Sequence, residues 1–433
     1  MAITLVDRPY KFTALKQKLI FTATSSQVGQ PGFRFVAQVS ATVDGNTTMQ
    51  TVYIQPNLNG AMVLDVYPIV KDFIDLSVTD AAVPNLFMQD TVYYTPYTDL
   101  HNIVEVTVDL YDGYEVLGVF TVNPLSLPVV RTRLSLINAA FQISQGYNPD
   151  PDLIFALSGP TMYQMTDLTP DVYDLSTEIN TYSLGANTIG IRARFNSDYG
   201  VMTIPIDDGT RLSANLIDEI QVIQFNSAGA PIQTDSIPIA PQEGHIVHTG
   251  IYPANVSGSL GYAANMHHYI VNFLYLGSAV ARSIAFFEAE DECRFDTYRL
   301  GWINSRGGWD FWNFTKRSEE TYSIEKKRYR KVIGNYATAN ANFSFNTYDR
   351  GLTERNAFVE KMLTVSTDFL SEAQFEFLKG LSFSDSVYII DDSGTPTPVV
   401  VENTNFTALK NRSYIKEGTQ LTIQLKYSQD YNA

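Results

Sequence analysis

A single cysteine, Cys293, is all the thiol the chain contains, which rules out an intrachain disulfide and a thiolate metal cluster. Stability must come from burial and hydrogen bonding, and 433 residues are enough to build such cores. Charge is also scarce: Asp, Glu, Lys and Arg make up 18% of the chain against a usual ~25%. Positive charge is the scarcer sign, with 30 Lys and Arg against 46 Asp and Glu, so nucleic acid is not expected as the main ligand. No run approaches the eighteen apolar residues of a membrane span. Asp7 and Arg8 interrupt the place where a secretory leader would be apolar, so synthesis in the cytoplasm is expected.

Catalytic signatures are missing too. There is no Gly-Lys-Ser/Thr phosphate loop, no Gly-x-Gly-x-x-Gly opening a helix and no Gly-x-Ser-x-Gly elbow. Five histidines include His245-x-x-His248 and the pair His267-His268, but neither group sits on a helix with a third ligand in step. Asp207-Asp208, Glu319-Glu320 and Asp391-Asp392 are adjacent pairs, which point to opposite faces of a strand or sit solvated in a turn. The expectation is a protein with no metal, no cofactor and no enzymatic activity. Six Asn-x-Ser/Thr sequons, at Asn46, Asn255, Asn313, Asn342, Asn405 and Asn411, follow from a composition rich in those residues.

What the chain has in abundance is aromatic surface: 26 Tyr and 25 Phe, with all three Trp inside Tyr298–Phe314. Asn304, Ser305, Gly307 and Gly308 allow a chain reversal, so this segment reads as strand, turn and strand. Trp309, Phe311 and Asn313 then share one face, and Asp310, Trp312 and Phe314 the other. Rings on both faces need cover on both faces, which leaves two fates open: a core joining domains, the commoner one, or the centre of a subunit interface.

β-Branched and aromatic runs bounded by turn residues predict strands along most of the chain. Phe33–Val39 and Thr51–Gln55 pair across Asp44-Gly45-Asn46. Ala61–Leu76 predicts a helix, with Val66, Ile69, Val70 and Phe73 at helical spacing. Hairpins are expected around Asp112-Gly113, Asn196–Gly200, Asn226–Ala230 and Asp392–Pro396, and at Gly277-Ser278. Gln145–Leu184 reads as a long loop. Ser371-Glu-Ala-Gln374 is a capping box opening a helix of about two turns that Gly380 should stop. The fold class is therefore mainly β: a sandwich-like domain over 1–128, a second β domain with long loops over 129–290, and an α+β assembly domain over 291–433. The basic run Lys326–Lys331 reads as a strand edge guarded by positive charge or, in an oligomer, as a contact with an acidic neighbour such as Glu288–Glu292 of another copy.

Leu300-Gly-Trp-Ile-Asn, then Gly307-Gly-Trp-Asp-Phe-Trp-Asn-Phe-Thr and a basic strand, resembles structural proteins of tailed phages that infect Bacteroidota, including the crAss-like group. The capped helix, Leu381-Ser-Phe-Ser-Asp-Ser-Val-Tyr and the hairpin after it are similar to the same proteins, so the likeness covers about 295–427. It implies a virion part in the tail, ring, hub or fibre-attachment region, with further copies of the chain and other virion proteins as partners. If the tryptophan segment and the basic run form a subunit interface, it draws on Trp302, Trp309, Phe311, Trp312, Lys326, Lys327 and Arg328. The rival readings are a carbohydrate-binding or glycan-cleaving β-sandwich protein and a trimeric receptor-binding fibre.

Overall fold

A computed structural model describes residues 3–9, 12–16, 18–43, 46–71, 87, 93–95, 103–123, 130–137, 166–185, 188–206, 217–239, 245–279, 281–289, 294–337, 342–345, 347–348, 351–402, 420–428 and 431–432. The architecture is mainly β, built from several largely antiparallel sheets.

The N-terminal part is a two-layer sandwich. Its strands are β1 (Ile3–Asp7), β2 (Phe12–Ala14), β3 (Ile20–Ser25), β4 (Arg34–Val43), β5 (Asn46–Ile54) and β6 (Ala61–Asp65), then helix α1 (Tyr67–Val70), β7 (Tyr93–Thr95), β8 (Ile103–Val116), β9 (Val119–Asn123) and β10 (Val130–Ile137). One layer runs β1-β3-β6, the other β2-β10-β8-β4-β5 with β9 beside β8. Period-2 alternation turns Phe35, Ala37, Val39 and Ala41 of β4 and Val104, Val106, Val108 and Leu110 of β8 onto Phe21 and Ala23 of β3 and Met62 and Leu64 of β6.

Two expectations fail here for local reasons. The helix expected over Ala61–Leu76 is a strand over its first five residues, because Met62 and Leu64 alternate inward against β3. The helical turn starts only at Tyr67, where Pro68 occupies a first-turn position that needs no N–H, and residues 72–76 lie outside the described residues. The turn expected at Asp112-Gly113 is uninterrupted strand, and the chain reverses at Leu117-Gly118, both at positive φ. Gly113 serves packing: a Cβ there would stand 2.4 Å from Phe120 Cζ, so the missing side chain makes room for that ring.

The middle part contains α2 (Ser176–Thr181), β11 (Ile189–Ala193), β12 (Met202–Ile206), β13 (Glu219–Phe225), β14 (Pro231–Pro238), β15 (His245–Thr249), α3 (Pro253–Ser259), β16 (His268–Tyr275), β17 (Ser278–Ala279) and β18 (Ile284–Glu288). A six-stranded sheet runs β11-β18-β16-β13-β14 with β17 beside β16, and a three-stranded sheet runs β12-β15-β7. The hairpin at Asn226 is present: Asn226 Oδ1 accepts from the N–H groups of Ala228 and Ala230, each at 3.0 Å, and Gly229 has positive φ. The Gly277-Ser278 reversal is also present, between β16 and β17. The hairpin expected around Asn196–Gly200 is not, since β11 and β12 belong to different sheets. Asp198 makes that crossing, its buried carboxylate accepting from the Arg194 N–H at 2.9 Å and from Arg194 Nε at 3.0 Å.

The last part contains β19 (Tyr298–Ile303), β20 (Trp309–Phe314), β21 (Ser318–Arg330), β22 (Asn335–Ala337), β23 (Asn342–Ser344), β24 (Leu352–Ser366), α4 (Glu372–Phe383), β25 (Val387–Ile390), β26 (Pro396–Val401), β27 (Thr422–Tyr427) and β28 (Tyr431–Asn432). Eight of these strands form one sheet, β20-β19-β25-β26-β27-β24-β21 with β28 on β24. The capping box at α4 is complete, with Ser371 Oγ accepting from the Gln374 N–H and Gln374 Oε1 accepting from the Ser371 N–H. The helix passes through Gly380, which was expected to end it, and stops before Ser384. Gly380 instead faces Trp302, whose Nε1 lies 3.4 Å from where a Cβ would stand, an ordinary van der Waals distance.

One apolar cluster takes buried side chains from both the middle and the last part, from Ile191, Ile220 and Phe273 to Trp302, Leu378 and Leu425. Phe87 belongs to it as well, and β7 pairs with β15, so pieces of the first 128 residues contribute to this second core.

Candidate assembly interface

The tryptophan hairpin forms where the sequence placed it, as β19 and β20 in antiparallel register from Tyr298↔Phe314 to Ile303↔Trp309. Asn304 organises the turn. Its Oδ1 accepts from the Arg306 and Gly308 N–H groups at 2.9 and 3.0 Å, while its Nδ2 donates to Asp310 Oδ2 at 2.9 Å. Asp310 is itself buried and also accepts from Thr166 Oγ1 and from the Asp167 N–H. Asp167 in turn accepts from the Ser305 N–H at 3.1 Å and from Ser305 Oγ at 2.9 Å, so residues 166–168 are clasped to the hairpin from both ends. Burial and the neighbouring Asp167 carboxyl push Asp310 up to about 7, against the pull of its three donors.

The rings are committed to this chain's own interior. Trp302, Trp309 and Phe311 have exposures of 0%, 1% and 1%. Trp302 meets Phe377 of α4 at a ring distance of 5.3 Å, and Trp309 meets Phe87 edge-on at 5.0 Å. Phe311 packs on Tyr252, and the Arg299 guanidinium lies over both rings at 5.0 and 4.7 Å. Trp312 is half-buried and stacks on Tyr173 at 5.2 Å. The interface expected at Trp302, Trp309 and Phe311 is therefore corrected: they are core, because no neighbouring subunit could reach them without opening the fold.

The basic residues have the opposite fate. Lys326, Lys327 and Arg328 lie on β21, which is exposed at every position after Ser318. This strand is the outer edge of the eight-stranded sheet, and it pairs with β24 along its whole length. Beyond Phe358, where β28 stops covering β24, the two strands run on with no further strand paired to them among the described residues, as a ribbon whose far end carries the paired β22 and β23. Glu354 bridges Lys326 at 3.1 Å and Arg328 at 3.4 Å, and the two cations hold its carboxyl below the usual range. Lys327 sits over the Phe358 ring.

Around these charges, and unforeseen in the sequence, the ribbon exposes Tyr329, Val332, Phe343, Phe345, Tyr348 and Leu352, each with 47–88% of its surface in solvent. A two-stranded ribbon has no second layer to hide such side chains, and an isolated hairpin is marginal in water. Isolated surface apolars are ordinary, whereas six on one arm make it the candidate contact site. The available signal was Asn342-Phe-Ser-Phe345, an aromatic alternation with no partner strand rich enough to bury it.

The remaining candidates are structural. His248 is buried beside Thr203 Oγ1, its Nδ1 at 3.1 Å, and burial lowers it to about 3. His268 stacks between Phe225 and Phe287, and burial, then His267, lowers it to about 4. Asn255, a sequon position, is buried with its Nδ2 donating to the Phe87 carbonyl. Asp391 caps its turn by accepting from the Ser393 and Thr395 N–H groups. Among the described residues no cluster of three or more His, Cys, Asp or Glu could hold a metal ion, and no helix is long and apolar enough to cross a membrane. The sequence matches no protein-family model and no curated protein.

Proposed function

We propose that this protein is a structural component of a tailed-phage virion, forming an oligomeric ring, hub or fibre-attachment part of the tail or neck. The observation that supports this reading is the β21–β24 ribbon, an arm that leaves the sheet with its aromatic and aliphatic side chains uncovered. An arm of this composition gains stability only when another surface covers it, which is the behaviour of a subunit rather than of a freestanding catalyst. The chain's scarce charge and its rigid, ring-filled second core suit a part that transmits load between neighbours, and the resemblance of 295–427 to phage structural proteins points the same way.

The decisive experiment shortens the arm. Glu325 and Phe358 are register partners, so an Asn-Gly turn can join them in place of residues 326–357 without altering the sheet behind. The shortened chain should keep its melting temperature and fail to enter particles, while the full chain is found in purified virions by mass spectrometry. Absence of the full chain from virions, or normal particles built with the shortened one, would overturn the proposal.

A further inference from the structure

The arm carries charge as well as apolar surface, and its sign is opposite to that of the rest of the molecule. Residues 324–359 hold seven Lys and Arg against three Asp and Glu, while the remaining residues hold 23 against 43. Glu354 accounts for Lys326 and Arg328, but Arg330, Lys331 and Arg355 form no ion pair among the described residues. The most acidic stretch is residues 129–290, which hold six Lys and Arg against fifteen Asp and Glu. There Asp171, Asp174, Glu219, Asp235 and Glu288 reach solvent and form no ion pair among the described residues. A cationic apolar arm and an anionic body on one chain make the arm of one copy complementary in charge to the body of another.

We infer that the arm's occupant is a second copy of this chain, the arm of one subunit lying against exposed acids of the next such as Asp171, Asp174, Glu219, Asp235 and Glu288. The inference rests on the assembly reading above and names the arm's partner. The contact is heterologous, one patch meeting a different patch, so each copy still offers a free arm and a free acceptor after binding. Such a contact yields a closed ring when the rotation between neighbours divides a full turn, and a filament otherwise. Steering by opposite charge makes its formation salt-sensitive, and the apolar side chains of the arm supply the part that salt does not screen.

Light scattering on the purified full-length chain, at about 100 µM where a contact of micromolar Kd is saturated, should show a mass several times that of the monomer, falling as sodium chloride is raised. R330E/K331E/R355E should return the chain to a monomer at low salt with unchanged near-ultraviolet circular dichroism, and Val332→Asp should do so through the apolar side. Carbodiimide coupling of a mixture of ¹⁴N- and ¹⁵N-labelled chains should join Lys326, Lys327 or Lys331 of one isotope to Asp or Glu within 129–290 of the other. A monomer at that concentration, charge reversal without effect on mass, or couplings confined to one isotope would overturn the self-docking. The virion reading would survive those results, since a different virion protein could then cover the arm, and it falls only on the particle experiment above.

Discussion

Trp309→Ala separates a core role from an assembly role. The ring is 1% exposed, meets Phe87 edge-on at 5.0 Å and lies 5.9 Å from Tyr388, so its removal opens a cavity where three parts of the chain converge. Replacing a buried Trp by Ala costs about 3–5 kcal/mol. Part of that is returned, because Trp309 Nε1 is buried with no hydrogen-bond partner among the described residues and an unsatisfied donor costs roughly 1–3 kcal/mol. The net loss is about 2 kcal/mol and at most about 4 kcal/mol, a large share of the roughly 5–15 kcal/mol that holds a typical domain together. Urea unfolding followed by far-ultraviolet circular dichroism reads it out: with a slope of roughly 3 kcal/mol per molar, the midpoint should fall by on the order of 1 M. Trp309→Phe, which keeps a ring against Phe87, should lose less. The reasoning fails if Trp309→Ala unfolds at the wild-type midpoint yet no longer assembles, for the ring would then be anchoring a neighbour.

Asp310 is protonated more readily in the fold than in the unfolded chain, so its contribution to stability is present at acid pH and declines as pH rises from about 4 toward 7. Asp310→Asn, which mimics the protonated acid, should remove that decline, so the wild-type melting temperature minus the variant's should fall between pH 5 and pH 8; a difference that stays flat would refute the assignment. His248 works in the other direction, because it must stay neutral: its burial costs stability as pH drops below about 6.5, and His248→Gln should melt with less acid sensitivity than the wild type. Gly113→Ala pushes a methyl against the far end of the exposed Phe120 ring and should cost no more than about 1 kcal/mol, recovered in part by Phe120→Ala in the same chain, whereas purely additive losses would exclude the contact. Ser371→Ala removes one half of a complete capping box and should lower stability by about 1 kcal/mol in thermal unfolding, with no change in assembly.

Where one face of a strand is buried and a turn residue marks the reversal, the sequence reading and the structure agree, as at Asn226, at Asn304 and at the Asp391 turn. The misreadings share a cause: a glycine or a periodicity was assigned a backbone role when it had a packing role. Gly113 and Gly380 looked like punctuation, but they sit mid-strand and mid-helix, Gly113 beside the Phe120 ring of the adjoining hairpin strand and Gly380 facing Trp302 from far along the chain. Ala61–Asp65 fits both a helical and an alternating pattern over so few residues, and pairing with β3 decided between them. The crossing between β11 and β12 was hidden for a related reason, since two strands joined by a short polar turn read as a hairpin until a buried Asp198 binds the turn from inside.

The candidate site shows the limit of composition as a guide to interfaces. Density of aromatic residues pointed to the tryptophan hairpin, but density attracts partners from within the same chain: Phe87, Tyr173, Tyr252 and Phe377 all arrive to cover it. A side chain stays available to another molecule when its own chain has nothing to place over it, and that is a property of topology. β21 lies at the sheet's edge, and β27 and β28 cover only the base of β24, so Tyr329, Phe343 and Phe345 stay in solvent although each is a less conspicuous residue than any tryptophan. The basic run beside them was legible because charge resists burial wherever it falls. Lysine and arginine on an edge strand also deter indiscriminate pairing with other edges. On an otherwise acidic molecule the self-docking proposed above would have the same residues both block the wrong partner and select the right one, so reversing them should abolish assembly with the fold unchanged.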